Sequence, residues 1–411
     1  MRRPATIACL DLDTFFVSVE RLLDPRLVGL PVVVGATADS RGVVTSASYE
    51  VRKLGVRSGM PAAEARRLAP DAVFLPGQHG VYSRYTAAVR EVVERHCPEV
   101  RTASIDEFFL DFAGCERMLR RRQDPDDETA LRRHVWVLRD RIQAEVGLPA
   151  SVGVGTSRPI AKMASGLAKP AGVHFVGAGR EADFIEDLPV RKLPGIGPVM
   201  EQKLLTAGFP TLGSLYRAAD VPAHLLGVAA GLRLAVEGGA LGVPERDRPA
   251  FREHDPYGEL DGGLSNERTF SRDLRDPLRV DAELVALVER VTWRLRQRGG
   301  AARTVSVKLR YSNFDTYMRS RTLPTTDTEA AVLAAARALL AGAWERRRGL
   351  RLLGVGLSQL REPDRQLHLP FTAAYTPQRA AVALDAVRAR FGFDAIRLGP
   401  AARGQRSAGG A

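Results

Sequence analysis

The sequence predicts a multidomain α/β protein whose first domain is of the α+β kind, and three observations predict it. Two apolar strands flank a helical stretch between residues 7 and 35, Gly- and Pro-punctuated short helices fill 183–247, and strands alternate with two long helices over 263–362. A chain of 411 residues has room for two to four domains at roughly 150 residues each. Its 45% hydrophobic and 26% charged residues are those of a globular protein, which excludes wholesale disorder, collagen and coiled coil.

Taken in order, residues 7–12 read as a strand, about 14–23 as a helix and 31–35 as a second strand, a βαβ-like opening. Segments 43–75 and 81–97 are compact α/β and helical, and a strand is expected at 103–105. The charged stretch 115–147 reads as a helical insertion, after which 149–155 returns to a strand and completes one α/β domain. Residues 248–262 lack periodicity and read as a linker. In the last domain Leu284, Leu287, Val288, Val291 and Leu295 form one helical stripe that stops at Gly299-Gly300, and a second helix is expected over about 327–344. Between them residues 304–311 alternate, with Val305, Val307, Leu309 and Tyr311 on one face and Ser306, Lys308 and Arg310 on the other. At about 3.4 Å per residue the two cations stand roughly 7 Å apart on the solvent side, near the spacing of successive phosphates on one strand. A solvated strand face is the alternative reading of the same pair. Residues 381–391 look helical, and 404–411 look disordered.

Charge is unevenly placed. The chain carries 60 Lys+Arg against 48 Asp+Glu, a net +12, and residues 263–362 alone hold 19 against 11. A basic module of this kind follows the phosphate backbone of nucleic acid, or is simply well solvated. There is no apolar run of membrane-spanning length, and the amino end leads directly into an acid-bearing segment, so the expectation is a soluble cytoplasmic protein without a membrane contact. Cys9, Cys97 and Cys115 are far apart with no Cys-x-x-Cys pair, which argues against disulfides and a zinc site and for small buried hydrophobes.

Two acidic clusters stand out: Asp11-Leu12-Asp13, followed by Phe15-Phe16, and Ser104-Ile105-Asp106-Glu107, each expected at a strand end. Carboxylates at the edge of a core suit a hard divalent metal, though Asp13 could instead cap the helix after it and Asp106-Glu107 could sit in a turn. Carboxylates from two strands are the arrangement for a pair of Mg²⁺ ions that promotes attack of a hydroxyl on a phosphoryl centre. Ser46, Tyr49, Arg52 and Lys53, with Lys169 further on, are residue types that ligate phosphate oxygens. Metal carboxylates, triphosphate ligands and a basic module together point to nucleotidyl transfer.

The blocks Asp11-Leu12-Asp13-Thr14-Phe15-Phe16-Val17-Ser18-Val19-Glu20, Ala47-Ser48-Tyr49-Glu50-Val51-Arg52-Lys53-Leu54-Gly55-Val56-Arg57-Ser58-Gly59-Met60-Pro61, Ser104-Ile105-Asp106-Glu107, Leu167-Ala168-Lys169-Pro170-Ala171-Gly172 and Leu193-Pro194-Gly195-Ile196-Gly197 resemble, in order and spacing, those of the Y-family translesion DNA polymerases, most nearly the bacterial DNA polymerase IV branch. The resemblance runs from about residue 5 to 371. It implies a right-hand polymerase: palm at 1–36 and 76–180, fingers at 37–75, helical thumb at 181–247, linker at 248–262, a four-stranded, two-helix little finger at 263–362, and a tail at 363–411. It implies that Asp11 and Asp106, with the Leu12 carbonyl, hold two Mg²⁺ ions and that Glu107 completes the catalytic acids beside the primer 3′-hydroxyl. Phe16 would be the steric gate against ribonucleotides, whereas Phe15 suits the core. Ser46, Tyr49, Arg52 and Lys169 would bind the deoxynucleoside triphosphate, and Asp13 would be structural. Lys308 and Arg310 would touch phosphates of primer-template DNA. The glycines at 195 and 197 would let a helix-hairpin-helix turn approach another phosphate.

The activity so implied is template-directed, low-fidelity synthesis without proofreading, by a monomer. Gln366-Leu367-His368-Leu369-Pro370-Phe371 resembles the peptide that docks bacterial polymerases on the sliding clamp. Two departures from the family pattern are Phe108, a bulky ring expected beside the metals, and Pro159, which is expected to change a helix start. The other reading is a catalytically silent, clamp-bound DNA scaffold, but such relatives lose the metal carboxylates, and Asp11, Asp106 and Glu107 are all present here.

Overall fold

The computed structural model describes residues 4–35, 37, 41–237, 262–363, 375–399 and 401. The chain divides into two units, one drawn from residues 1–256 apart from 40–42, the other from 257–411 with 40–42. No helix among the described residues is long and apolar enough to cross a membrane.

The first unit runs β1 (Ile7–Leu12), α1 (Phe15–Leu23), β2 (Val32–Val34), β3 (Ser46–Ala47), α2 (Tyr49–Lys53), α3 (Ala62–Leu68), β4 (Val73–Leu75), α4 (His79–Glu94), β5 (Glu99–Thr102), β6 (Glu107–Asp111), α5 (Glu116–Leu119), α6 (Asp127–Val146), β7 (Ala150–Gly155), α7 (Arg158–Ala168) and β8 (Val173–Phe175). Short helices α8 (Glu181–Ile185), α9 (Pro198–Thr206), α10 (Leu212–Arg217) and α11 (Leu226–Glu237) follow. Its main sheet has the order β5-β6-β1-β7-β8, antiparallel except for β7 with β8. Strand alternation sends Ala8, Leu10, Leu12, Phe108, Leu110, Val152 and Val154 into one core with α1, α4 and α6. The opposite face receives α7. Only small residues permit that approach: a Cβ on Gly153 would lie 2.0 Å from the Ser165 amide nitrogen.

Three sequence expectations are corrected here. The opening is not a βαβ unit, because β2 leaves the main sheet to pair with β3 and, in parallel, with β4; the parallel crossover is β7-α7-β8. Residues 103–105 are not a strand but the turn of the β5–β6 hairpin, where the amides of Ala103 and Ser104 both donate to the Glu107 carbonyl. The charged stretch 115–147 is not an insertion. Its helix α6 starts at Asp126, whose side chain accepts from the Thr129 amide at 2.7 Å, and ends at Gly147 with φ 81°. Between those caps Leu131, Val135, Leu138 and Ile142 are buried in the main core. Pro159 falls in the first turn of α7, where its missing N–H costs nothing, so it starts that helix without distorting it.

The second unit comprises β9 (Leu264–Leu274), α12 (Pro277–Gln297), β10 (Ala301–Tyr311), β11 (Thr316–Thr326), α13 (Glu329–Ala343), β12 (Leu350–Arg361) and α14 (Tyr375–Phe391). Its antiparallel sheet, ordered β11-β10-β12-β9, packs Val305, Val307, Leu309 and Tyr311 against the α12 stripe anticipated above. Lys308 and Arg310 share the other face: the Lys308 ammonium donates to Glu267 at 2.7 Å and Arg310 Nε to the Thr316 hydroxyl at 2.8 Å. Residues 375–399 fold onto this unit. Arg388 of α14 is fully buried and donates to Glu289 of α12 at 2.7 Å, and Arg296 bridges Glu329 and Asp385. All of the expected linker 248–262 but residue 262, and the clamp-like peptide 366–371, lie outside the described residues.

If α6 is core rather than insertion, Leu138→Ala should lower unfolding free energy by about 2–5 kcal/mol in denaturant titration, as a buried leucine does. A loss under about 0.5 kcal/mol would restore the insertion reading.

Candidate active site

Pairing of β1 with β6 sets Asp11 directly across from Glu107, and pairing of β1 with β7 sets Asp11 across from Ser151. All three side chains therefore stand on the α7 face of the sheet. Phe108, one residue on from Glu107, points the other way, is fully buried and belongs to the core under α4 and α6. The expectation that its ring stands beside the acids is overturned by this alternation.

A cleft of about 120 Å³ is lined by Asp11, Leu12, Phe16, Ser46, Arg52, Asp106 and Lys169, with Thr14, Phe15, Thr45 and Ser58 completing the wall. Seven of the residues singled out from the sequence thus meet at one place. Tyr49 lies in an adjoining open cleft of about 580 Å³, shared with Arg52, Lys53, Arg57 and Ser58. Glu107 is buried at 8% exposure and does not line the cleft.

Each acid has its own partner. Lys169, the residue that ends α7, donates to Asp11. Lys162, two turns earlier on α7, donates to both Glu107 oxygens at 2.8 and 2.6 Å. The Ser104 hydroxyl donates to Asp106 within the hairpin turn. Burial pushes the Asp11 carboxyl from 3.8 up to about 6; Lys169 opposes that shift, and the charges of Asp106 and Glu107 reinforce it. Burial works to lower the Lys162 ammonium, but its hydrogen bond to Glu107 and that carboxylate's charge outweigh it and hold the pKa above 10.5. Among the described residues no three His, Cys, Asp or Glu side chains converge into a ready metal cage. The donors lining the cleft, two carboxylates and Leu12, are nonetheless oxygen ligands of the kind that a hard divalent cation takes.

Asp13 is no helix cap. It is 1% exposed, and its carboxylate accepts from the Ser151 hydroxyl at 3.0 and 2.9 Å, the Ala171 amide at 2.6 Å and the Tyr49 hydroxyl at 3.3 Å. It ties β7, the turn after α7 and α2 to the start of α1. Arg52 is oriented by its Nε donating to the Ala47 carbonyl at 2.9 Å, with the guanidinium 5.3 Å from the Tyr49 ring centroid.

Phe15 is core and Phe16 is half-buried on the cleft wall, as their register suggested. Sequence reasoning missed what holds Phe16. Its ring stacks on Tyr82 at 4.2 Å and 15°, and the Tyr82 hydroxyl donates to Glu20 at 2.5 Å, which also accepts from Gln78 at 3.1 and 3.0 Å. Glu20 lies four residues after Phe16 on α1, so helical spacing carried part of that signal; Tyr82 comes from a different helix. The contact of Lys162 with Glu107 was missed for the same reason. In the helical module, Gly195 takes φ 90° and Gly197 caps α9, which gives the hairpin its sharp turn.

A mixed main sheet with acids on its α7 face, a small three-stranded sheet beside the Arg52-bearing helix α2, a helical hairpin module and a separate four-stranded unit are the parts of a right-hand polymerase fold. The impB/mucB/samB family matches residues 10–166, its helix-hairpin-helix motif residues 179–209, and its carboxyl-terminal domain residues 263–369. DNA polymerase IV of Dehalococcoides mccartyi is 35% identical over 394 residues, 95% of this chain and 95% of its own. DNA polymerase IV 2 of Mesorhizobium japonicum is 36% identical over 98% of this chain and 95% of its own. DNA polymerase IV of Streptomyces coelicolor is 38% identical over 88% and 72%. The solved structure of a Y-family DNA polymerase chimera, Dbh-Dpo4(243-245)-Dbh, superposes with a TM-score of 0.69 at 22% identity, over 87% of this chain and 99% of the other. DinB from Sulfolobus solfataricus superposes with a TM-score of 0.55 at 22% identity, over 86% and 98%. These two likenesses show the fold of palm, fingers, thumb and little finger. The chain belongs to the Y-family of DNA-directed DNA polymerases, in its DNA polymerase IV group.

Proposed function

We propose that the protein is a template-directed, low-fidelity polymerase for translesion synthesis, which adds deoxynucleotides to a primer 3′-hydroxyl without proofreading. The observation that carries this reading is the single cleft in which Asp11, Asp106, Phe16, Arg52 and Lys169 meet. The reaction forms a bond from the 3′-oxygen to the α-phosphorus, breaks the bond from that phosphorus to the β-phosphate oxygen, and releases pyrophosphate and the hydroxyl proton. Arg52 and Lys169 bring cationic donors to the triphosphate, the Ser46 hydroxyl donates to its oxygens, and the Tyr49 hydroxyl does so by exchanging its 3.3 Å bond to Asp13 for one to the phosphate. The Phe16 ring limits the space under the sugar at its 2′ position. Asp11 and Asp106, with the Leu12 carbonyl, are the residues that would hold two Mg²⁺ ions, and Glu107 stands next to them across the β1–β6 pair. Bound Mg²⁺ supplies charge that stabilises the attacking and leaving oxygens.

The same reading assigns the palm to 1–36 and 76–180, the fingers to 37–75, the thumb to 181–247, the linker to 248–262, the little finger to 263–362 and the tail to 363–411. The little finger and the hairpin at 195–197 grip the primer-template backbone through phosphates. The protein acts as a cytoplasmic monomer that docks on the sliding clamp through residues 366–371.

One primer-extension panel tests this. Asp106→Ala should lose at least about 100-fold in extension rate, and wild-type extension by that variant would sink the site. Phe16→Ala should raise ribonucleotide insertion roughly 10- to 100-fold relative to deoxynucleotide, whereas unchanged sugar selectivity would reject the gate. Deleting 366–371 should abolish stimulation by the clamp and leave clamp-independent extension intact.

The raised pKa of Asp11 has a directional consequence. Its carboxyl is ionised at pH 8 and takes up a proton as pH falls through about 6, where the proton competes with Mg²⁺ for the same oxygens. The Mg²⁺ concentration for half-maximal extension should therefore rise between pH 8 and pH 5.5, and added Mg²⁺ should recover most of the rate at pH 5.5. A pH-independent Mg²⁺ requirement would remove Asp11 as a ligand.

A further inference from the structure

We propose that Lys162 is a positioning residue of the reaction. It sets the direction of the Glu107 carboxylate, and its charge tempers cation binding by the acidic set. This inference rests on the reading of Asp11, Asp106 and Glu107 as the catalytic acids.

The geometry begins with the sheet. Asp11 and Glu107 are direct cross-strand partners on one face, a placement that brings like charges to roughly 5 Å at the Cβ atoms and drives the two carboxylates apart. Helix α7 lies against that face because Gly153 and Gly155 have no side chains to keep it away. It brings two lysines seven residues apart, which at 3.6 residues per turn emerge on nearly the same side of the helix. Lys169 takes Asp11, and Lys162 takes Glu107 through both carboxylate oxygens. A two-point grip fixes the plane of the carboxylate as well as its position. Without Lys162, repulsion from Asp11 would still push Glu107 away, but its carboxylate would lose the two bonds that fix its direction.

A purely structural role for this pair is a poor fit. The Glu107 side chain is 10% exposed, but that of Lys162 is 43% exposed, and ion pairs with a solvated partner add little to stability. The ammonium is thus reachable from solvent while its partner is held at the edge of the catalytic acids. Standing there, it also repels any divalent cation that approaches Glu107, so removing it should strengthen cation binding even as it weakens turnover.

The test uses the full chain with Lys162→Met, which keeps the reach and removes the charge, and Lys162→Arg, which keeps the charge. Lys162→Met should lower single-turnover extension about 10- to 100-fold, with nucleotide KM within about threefold of wild type. It should also bind Mn²⁺ several-fold more tightly in titrations without DNA or nucleotide, read by electron paramagnetic resonance, at an unchanged unfolding midpoint. Lys162→Arg should recover most of the rate and the wild-type Mn²⁺ affinity. Wild-type turnover in Lys162→Met overturns the proposal. So does lost turnover with unchanged Mn²⁺ affinity, which would place Lys162 on substrate rather than on Glu107. Asp106→Ala run alongside separates the cases: if it too extends primers normally, the acidic site itself is wrong, and if it alone is inactive, only the role of Lys162 fails.

Discussion

The antiparallel register of β1 with β6 is the constraint on which the rest of the site depends. It places Asp11 opposite Glu107, and because strand side chains alternate, it also commits Leu10, Leu12 and Phe108 to the core behind them. A slip of one residue would bury the two carboxylates and expose that apolar set to α7. Packing of the core therefore enforces the chemistry of the opposite face. The register is closed at its end by the Leu12 amide donating to the Asp106 carbonyl at 2.9 Å, which carries the pairing one step into the hairpin turn and brings Asp106 to the cleft.

Concentrating three acids in this way has an electrostatic cost that the fold offsets with cations from a single helix. In Asp11 burial is the first cause of a raised carboxyl, the charges of Asp106 and Glu107 add to it, and Lys169 does not cancel it. Asp13 shows the contrast. It sits deeper, at 1% exposure, yet its oxygens accept from Ser151, Ala171 and Tyr49, so its burial is compensated locally by hydrogen bonds. Two aspartates separated by one leucine thus have different work: Asp13 joins α2, β7 and the turn after α7 to the start of α1, and Asp11 keeps an unquenched tension between burial and charge.

Much of this was legible in the sequence, and the failures have physical causes. The acidic blocks, Phe16 and the expected phosphate ligands Ser46, Arg52 and Lys169 were singled out from residue type and order, and seven of these residues line one cleft. What failed was anything that depended on which strand pairs with which. Residues 103–105 look like a strand because Ala103 and Ile105 flank a polar residue, but the Glu107 carbonyl accepts two amides from that segment and closes it into a turn. Alternation from Glu107 would have sent Phe108 away from the acids, had the sheet been known. The roles of Lys162 and Tyr82 were invisible for a plainer reason: each gains its role from a partner 55 or 62 residues distant, across a helix–sheet or helix–helix contact that no local period encodes. The α6 stretch misled by its charge, since a helix with arginines on its outer side still buries Leu131, Val135, Leu138 and Ile142.

The carboxyl-terminal segment extends the same argument to the second unit. Residues 375–399 had no derivable role in the sequence, and they fold onto α12 and α13 through charges rather than an apolar stripe. The side chains of Arg388 and Glu289 are both 0% exposed, and Glu289 also accepts from the Leu398 amide at 2.8 Å. Phe393 packs against Trp293 at 5.1 Å between centroids, beneath the guanidinium groups of Arg290, Arg388 and Arg397. Burying an arginine and a glutamate together is expensive to desolvate and adds little net stability, but it tolerates no shift in register, because either partner left alone costs about 3–5 kcal/mol. Such a contact specifies where α14 sits more than how tightly it is held. Arg296, Arg388 and Arg397 are engaged in this way in fastening the terminal helix, just as Lys308 on the sheet is engaged by Glu267.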